Sequence, residues 1–95
     1  MAGAALILDR KLLMEGGWII QMKVWRLPMA AEERPHGLKY SLFFGRIGER
    51  VIGYDNEAGN GDHRHYRYCE EPYAFASLEQ MIGDFQADIR KEMNR

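Results

Sequence analysis

A chain of 95 residues can form one domain with a modest core, residues 1–95, and is too short for two. A formal net charge of −1 excludes indiscriminate polyanion binding, and the single cysteine, Cys69, excludes an internal disulfide and fits a reducing cytoplasm. No apolar run reaches membrane-spanning length, and Asp9 and Arg10 cut short an opening segment that lacks a basic start, so no secretory signal is expected.

Ala4–Lys11 is apolar and β-prone and reads as a first strand, followed by a turn at Met14–Gly17, where glycine supplies positive φ. Trp18–Arg26 alternates: Trp18, Ile20, Met22 and Val24 share one face, Gln21 and Lys23 the other. Leu27–Gly37, with Pro28 and Pro35, is the long connection. Leu38–Gly45 returns to a period of two, with Leu38, Tyr40, Leu42 and Phe44 opposite Lys39, Ser41 and Phe43. A turn at Arg46–Glu49 leads into Arg50–Asp55, where Val51, Gly53 and Asp55 are expected opposite Ile52 and Tyr54. Gly53 in mid-strand predicts a bulge or the close approach of another backbone.

After a loop at Asn56–Asp62, His63–Tyr68 forms a fifth strand, with His63, His65 and Arg67 opposite Arg64, Tyr66 and Tyr68. Cys69–Ala76 reads as a linker. Ser77–Gln80 is a capping box, opening a helix whose apolar stripe is Leu78, Ile82, Phe85 and Ile89, widened by Met81. Asp84, Asp88 and Arg90 fall off that stripe. The expected fold is α+β: an antiparallel sheet of about five strands, two hairpins plus a fifth strand, covered by one C-terminal amphipathic helix.

The stretch from Gly53 to Tyr68 concentrates the polar chemistry. Residues 34–68 carry six basic and four acidic side chains plus all three histidines, whereas residues 69–95 carry three basic and six acidic. An anion would be drawn to the middle third. Two histidines two residues apart on a strand share a face, so His63 and His65 with Asp55 and Asp62 are candidates for a divalent metal, though two histidines with unplaced aspartates make no ligand set. No metal and no cofactor is expected.

The same residues suit RNA cleavage without metal. That reaction needs a base for the 2′-hydroxyl, an acid for the leaving oxygen and cations for the developing charge. Imidazole changes charge near neutrality, which makes His63 and His65 base and acid, with Arg64, Asp55 and Asp62 completing the catalytic group. Arg46, Arg64 and Lys39 are candidates to hold phosphate, and Tyr54 and Tyr66 to stack on an exposed base or donate a hydrogen bond. Asn56 and His36 complete the substrate-binding set. The structural alternative pairs Asp55 and Asp62 with Arg64 and Arg67 in a solvated lattice that only orders the loop. His36 has its own alternative, a turn before a strand. Asn56–Gly61 matches no phosphate-loop spacing, and Cys69 reads as packed or incidental.

Residues 36–43 (HGLKYSLF), the Gly45-Arg46 turn, Gly53-Tyr54-Asp55-Asn56-Glu57 and Gly61-Asp62-His63-Arg64-His65-Tyr66 resemble the TumE family, as do Glu71-Pro72-Tyr73 and the closing helix. The resemblance runs from about Ala4 to Ile89. It implies a small toxin of a type II toxin–antitoxin module, encoded beside an antitoxin that often carries a helix-turn-helix domain. By analogy with other such modules it implies action on RNA or translation. It supplies no catalytic roles. Three classes follow: an endoribonuclease using the His63/His65 surface, a module that acts by contact alone, and a homo-oligomeric protein without a ligand. A domain this small makes an oligomer or a partner an expectation, and an antitoxin is expected to cover the polar surface or its rim.

Overall fold

The computed structural model describes residues 3–32, 34–57 and 61–94. Six strands, in sheet order identical to chain order, form one antiparallel meander: β1 (Ala5–Met14), β2 (Trp18–Arg26), β3 (Leu38–Arg46), β4 (Glu49–Asp55), β5 (His63–Tyr66) and β6 (Cys69–Pro72). One helix, α1 (Leu78–Met93), follows. The α+β architecture is as expected, with six strands where about five were expected.

The additional strand is β6. Tyr66 pairs with Cys69 around a two-residue turn whose first member, Arg67, has φ of +55°. That conformation strains a side chain other than glycine. It is held on both sides, by Arg67 N–H donating to the Val51 carbonyl at 2.7 Å and by its guanidinium donating to Glu92. β6 replaces the first half of the expected linker, and β5 ends at Tyr66, not Tyr68. β1 also runs three residues beyond its expected end, to Met14, before a single 3-10 turn at Glu15–Gly17.

Residues of alternating parity sort to two faces. Val24, Tyr40, Leu42, Phe44, Ile52 and Tyr54 pack with Met81, Phe85 and Ile89 of α1 into the core, with Ile20, Met22 and Tyr66 against it. A bulge lies between Phe44/Gly45 and the facing strand, where Phe44 meets Ile52 but Gly45 meets Arg50. The extra residue, Val51, is buried with the core, contrary to its expected place beside Gly53 and Asp55. Glycine is required at position 45, because a Cβ there would overlap the Glu49 carbonyl oxygen.

Ser77 caps α1 by accepting from the Gln80 N–H at 3.0 Å, which is half of the expected capping box. The Gln80 amide turns instead to Asp84, one turn on, at 2.8 Å. The helix lies over the β3–β5 side of the sheet. β1 stays largely exposed.

Candidate functional site

The face of the sheet turned away from α1 is built by register. Gln21, Phe43, Gly53, His65 and Glu70 form one cross-strand row, and Lys23, Ser41, Asp55, His63 and Pro72 the next. Trp25 and Lys39 stand side by side beyond them, with Lys39 Nζ 5.5 Å from the indole centroid. His63 and His65 therefore point the same way, as alternation predicts, and their side chains are 22% and 14% exposed. Neither lies beneath the helix.

His65 is held between two charged groups. Arg50 Nη2 donates to Nδ1 at 3.0 Å, and Asp55 Oδ2 lies 3.5 Å from Nε2. With Nδ1 accepting, the ring proton belongs on Nε2, facing the carboxylate. Arg50 also reaches Asp55, Nη1 to Oδ2 at 3.9 Å. His63 Nδ1 is 4.0 Å from Glu70 Oε2.

Arg50 reaches these groups by lying across Gly53. A Cβ at position 53 would sit 2.8 Å from Arg50 Cδ. The close approach anticipated for this glycine comes from a side chain, not from another backbone. Glycine here leaves a channel in the sheet surface for the guanidinium stem.

Other candidate residues lie elsewhere. Arg64, Tyr54 and Tyr66 face α1, where Asp84, Asp88 and Glu92 are spaced four residues apart on one side of the helix. Each acid accepts from a tyrosine hydroxyl: Tyr73 to Asp84 at 2.5 Å, Tyr54 to Asp88 at 2.6 Å and Tyr66 to Glu92 at 2.5 Å. Arg64 donates to Asp88 from Nε at 2.8 Å and from Nη2 at 2.9 Å, and to Glu71 from Nη1 at 2.6 Å. The bonds to Asp88 raise the Arg64 pKa further. Burial first, then the bond to Asp88, raises that of Tyr54; burial and Asp84 do the same for Tyr73. These hydroxyls remain donors, and this row fastens helix to sheet.

Asn56 is 1% exposed and continues the β3–β4 ladder with its side chain. Its Oδ1 accepts from the Tyr40 N–H at 3.0 Å, and its Nδ2 donates to the Leu38 carbonyl at 2.8 Å. Its own carbonyl accepts two bonds from buried Arg34, from Nε at 3.1 Å and Nη2 at 3.0 Å. Asp62 accepts from Tyr40 Oη at 2.5 Å and lies 3.0 Å from His36 Nε2. The His36 Nδ1 accepts from the Leu38 N–H at 3.1 Å, and its ring packs on Phe75 with centroids 4.0 Å apart. Burial, then the Asp62 bond, pushes the Tyr40 pKa upward. Arg46 stacks over Trp18 at 4.1 Å, at the far hairpin end.

The structure thus gathers His63, His65 and Asp55 on one face, with Lys39 in a neighbouring row. It places Arg64, Tyr54, Tyr66, His36, Asp62, Asn56 and Arg46 in other contacts. Residues 58–60 of the expected loop lie outside the described residues. Arg50, Lys23, Trp25, Phe43 and Glu70 share the open face without having been singled out from sequence. The signal that places Lys23, Trp25 and Phe43 is the strand alternation itself; Glu70 lies on β6, which the sequence reads as linker, and Arg50 is displaced by the bulge. Among the described residues, no group of three or more His, Cys, Asp or Glu side chains is arranged to hold a metal ion. No helix among them is long and apolar enough to cross a membrane.

An antiparallel open sheet backed by one helix, with imidazole, guanidinium and carboxylate groups clustered on the bare face, defines a small α+β protein built to present polar groups from a sheet surface. Residues 4–93 match the family model described as Toxin TumE, and the chain belongs to that family. Membership of a toxin family supports a toxin role and brings with it, in general, a cognate antitoxin. Comparison with curated proteins and with solved structures gave no match.

Proposed function

We propose that the sheet face opposite α1 binds RNA and that His65 and His63 cleave it, the adjacent 2′-hydroxyl acting as nucleophile. The observation that carries this reading is the bracing of His65 between Arg50 and Asp55 on that face. An incoming phosphate competes for Arg50, whose side chain is 44% exposed, and draws it off the ring. Nδ1 of His65 is then free to accept the 2′-hydroxyl proton, while Asp55 keeps the opposite nitrogen protonated and the ring oriented. The 2′-oxygen bonds to phosphorus, the bond to the 5′-oxygen breaks, and protonated His63 delivers a proton to that oxygen. The products are a 2′,3′-cyclic phosphate and a 5′-hydroxyl. Lys23 and Lys39 add positive charge, and Trp25 and Phe43 offer ring faces for bases.

Induction of the chain without its antitoxin should arrest growth, and the purified protein should cut single-stranded RNA to cyclic-phosphate ends. His65→Ala should abolish both while leaving the circular dichroism spectrum intact. Full toxicity of a folded His63→Ala/His65→Ala double variant dismisses the catalytic reading.

A second reading, in which the face acts by contact alone, is favoured by the engagement of both His65 ring nitrogens. On that reading alanine at the histidines changes little. Arg50→Glu instead weakens target binding with a reduced salt dependence.

A further inference from the structure

The two edges of the sheet are unlike. β6 is four residues long, carries Glu70 and Glu71 and ends on Pro72, features that discourage another strand from pairing with it. β1 is ten residues long, has no proline, and contributes five of the nine exposed large apolar side chains among the described residues: Leu6, Ile7, Leu12, Leu13 and Met14. Its outer backbone groups face no neighbour among the described residues. Such an edge is a template for a further strand.

The sequence of β1 selects the occupant. When a strand pairs antiparallel with its own copy about a two-fold axis normal to the sheet, one residue must oppose itself and the rest pair symmetrically about it. An axis through Asp9 opposes Asp9 to Asp9 and sets Leu8 against Arg10. An axis through Lys11 opposes Lys11 to Lys11 and sets Arg10 against Leu12 and Asp9 against Leu13. An axis through Arg10 sets Asp9 against Lys11 twice and Leu8 against Leu12 twice, at the cost of one Arg10–Arg10 contact. Opposite charges and apolar pairs across strands are favourable, and like charges are not. Only the Arg10 register matches both pairs.

We infer that this chain dimerises through β1, paired antiparallel with β1 of a second copy about Arg10, to give one continuous twelve-stranded sheet. The two Leu8–Leu12 contacts lie on the helix side with the Arg10 pair between them, since Leu8, Arg10 and Leu12 are aligned with Val24, Met22 and Ile20 of the core face. There they extend the apolar floor of a cleft of about 340 Å³ that Leu12 lines with Ile20, Met22, Phe85 and Ile89. Both helices sit on one side, and both histidine faces lie on the other. The seam leaves His63 and His65 untouched, so this interface stands apart from the RNA reading.

The test uses the full chain with Cys69→Ser, which removes the exposed thiol. Sedimentation velocity across a concentration series should show a monomer–dimer equilibrium. Leu8→Lys and Leu12→Lys should each weaken it at least tenfold, and Arg10→Leu should strengthen it by a similar factor. Directly opposed residues bring their Cα atoms to roughly 4.5–5.5 Å, within disulfide reach. Arg10→Cys should therefore oxidise to a covalent dimer, while Glu70→Cys on the other edge should not. A native chain that stays monomeric throughout overturns the inference without needing any variant. So does a dimer indifferent to the β1 substitutions, or one that cross-links equally from either edge.

Discussion

Arg64 holds Asp88 with two parallel hydrogen bonds, Nε to Oδ2 at 2.8 Å and Nη2 to Oδ1 at 2.9 Å, joining the fifth strand to the middle of the helix. The same carboxylate accepts from Tyr54 at 2.6 Å, so one acid organises a cation and a buried phenol. Asp88→Ala should destabilise the protein by about 2–3 kcal/mol, because both donors lose a charged acceptor. Asp88→Asn should cost less, since the amide oxygen still accepts. Urea unfolding measures the difference; a loss below about 0.5 kcal/mol for the alanine variant would mean that water replaces the carboxylate freely.

Asn56 takes the place of a strand residue after the strand has ended, bonding Tyr40 and Leu38 through its side chain. Asn56→Ala should cost about 2–3 kcal/mol by leaving a buried amide and a buried carbonyl unmatched. Asn56→Asp should be at least as harmful, because it sets a carboxylate oxygen against the Leu38 carbonyl. Equilibrium denaturation compares them. An aspartate variant as stable as the parent would show that the ladder extension is dispensable.

Gly53→Ala separates the open face from the fold. The added methyl meets Arg50 Cδ, the movable stem of an exposed side chain, so global stability should change by no more than about 1 kcal/mol. Arg50 should nevertheless leave Nδ1 of His65. Nitrogen resonances of the His65 ring, recorded by NMR, should shift while the backbone spectrum of β1 and β2 stays in place. Unaltered ring resonances would show that Arg50 and His65 are not coupled in solution.

The phenols of Tyr40, Tyr54 and Tyr73 ionise well above the ordinary value of 10.0, burial being the first cause and a carboxylate partner the second. The folded chain therefore holds these protons more tightly than the unfolded chain does. Their contribution to stability is complete below pH 10 and falls as pH rises past it, where the unfolded state alone releases protons. Urea midpoints measured between about pH 8 and pH 11 should drop at the upper end, and Tyr54→Phe should flatten that drop. A parent protein with an even midpoint across this range contradicts the assignment.

Much of this arrangement is legible in the amino-acid order, for a physical reason. Strand side chains alternate, so Leu38, Tyr40, Leu42 and Phe44 announce a buried face, and His63 and His65 announce a shared one. The same alternation sets Arg64 and Tyr66 opposite the histidines, although all four are close in sequence. β6 is hidden because its turn, Arg67-Tyr68, carries none of the residues that favour turns and its own residues are uniformly exposed. Arg50 is hidden by the bulge. Counted evenly from Ile52 it belongs with the core, and only the extra residue, Val51, turns it to the other side. Asp84 and Asp88 look like solvent-facing residues of an amphipathic helix until the tyrosines that meet them are placed by the sheet.

The three helix acids repeat at one-turn intervals, which has a consequence for how α1 is seated. Sliding the helix along its axis by a single turn would bring Asp88 towards Tyr73 and Glu92 towards Tyr54, so the polar row tolerates more than one docking. The ring of Phe85, edge-on to Tyr54 with centroids 5.8 Å apart, acts as the detent that breaks this degeneracy. Shape selects the position, and the acid–phenol bonds then lock it.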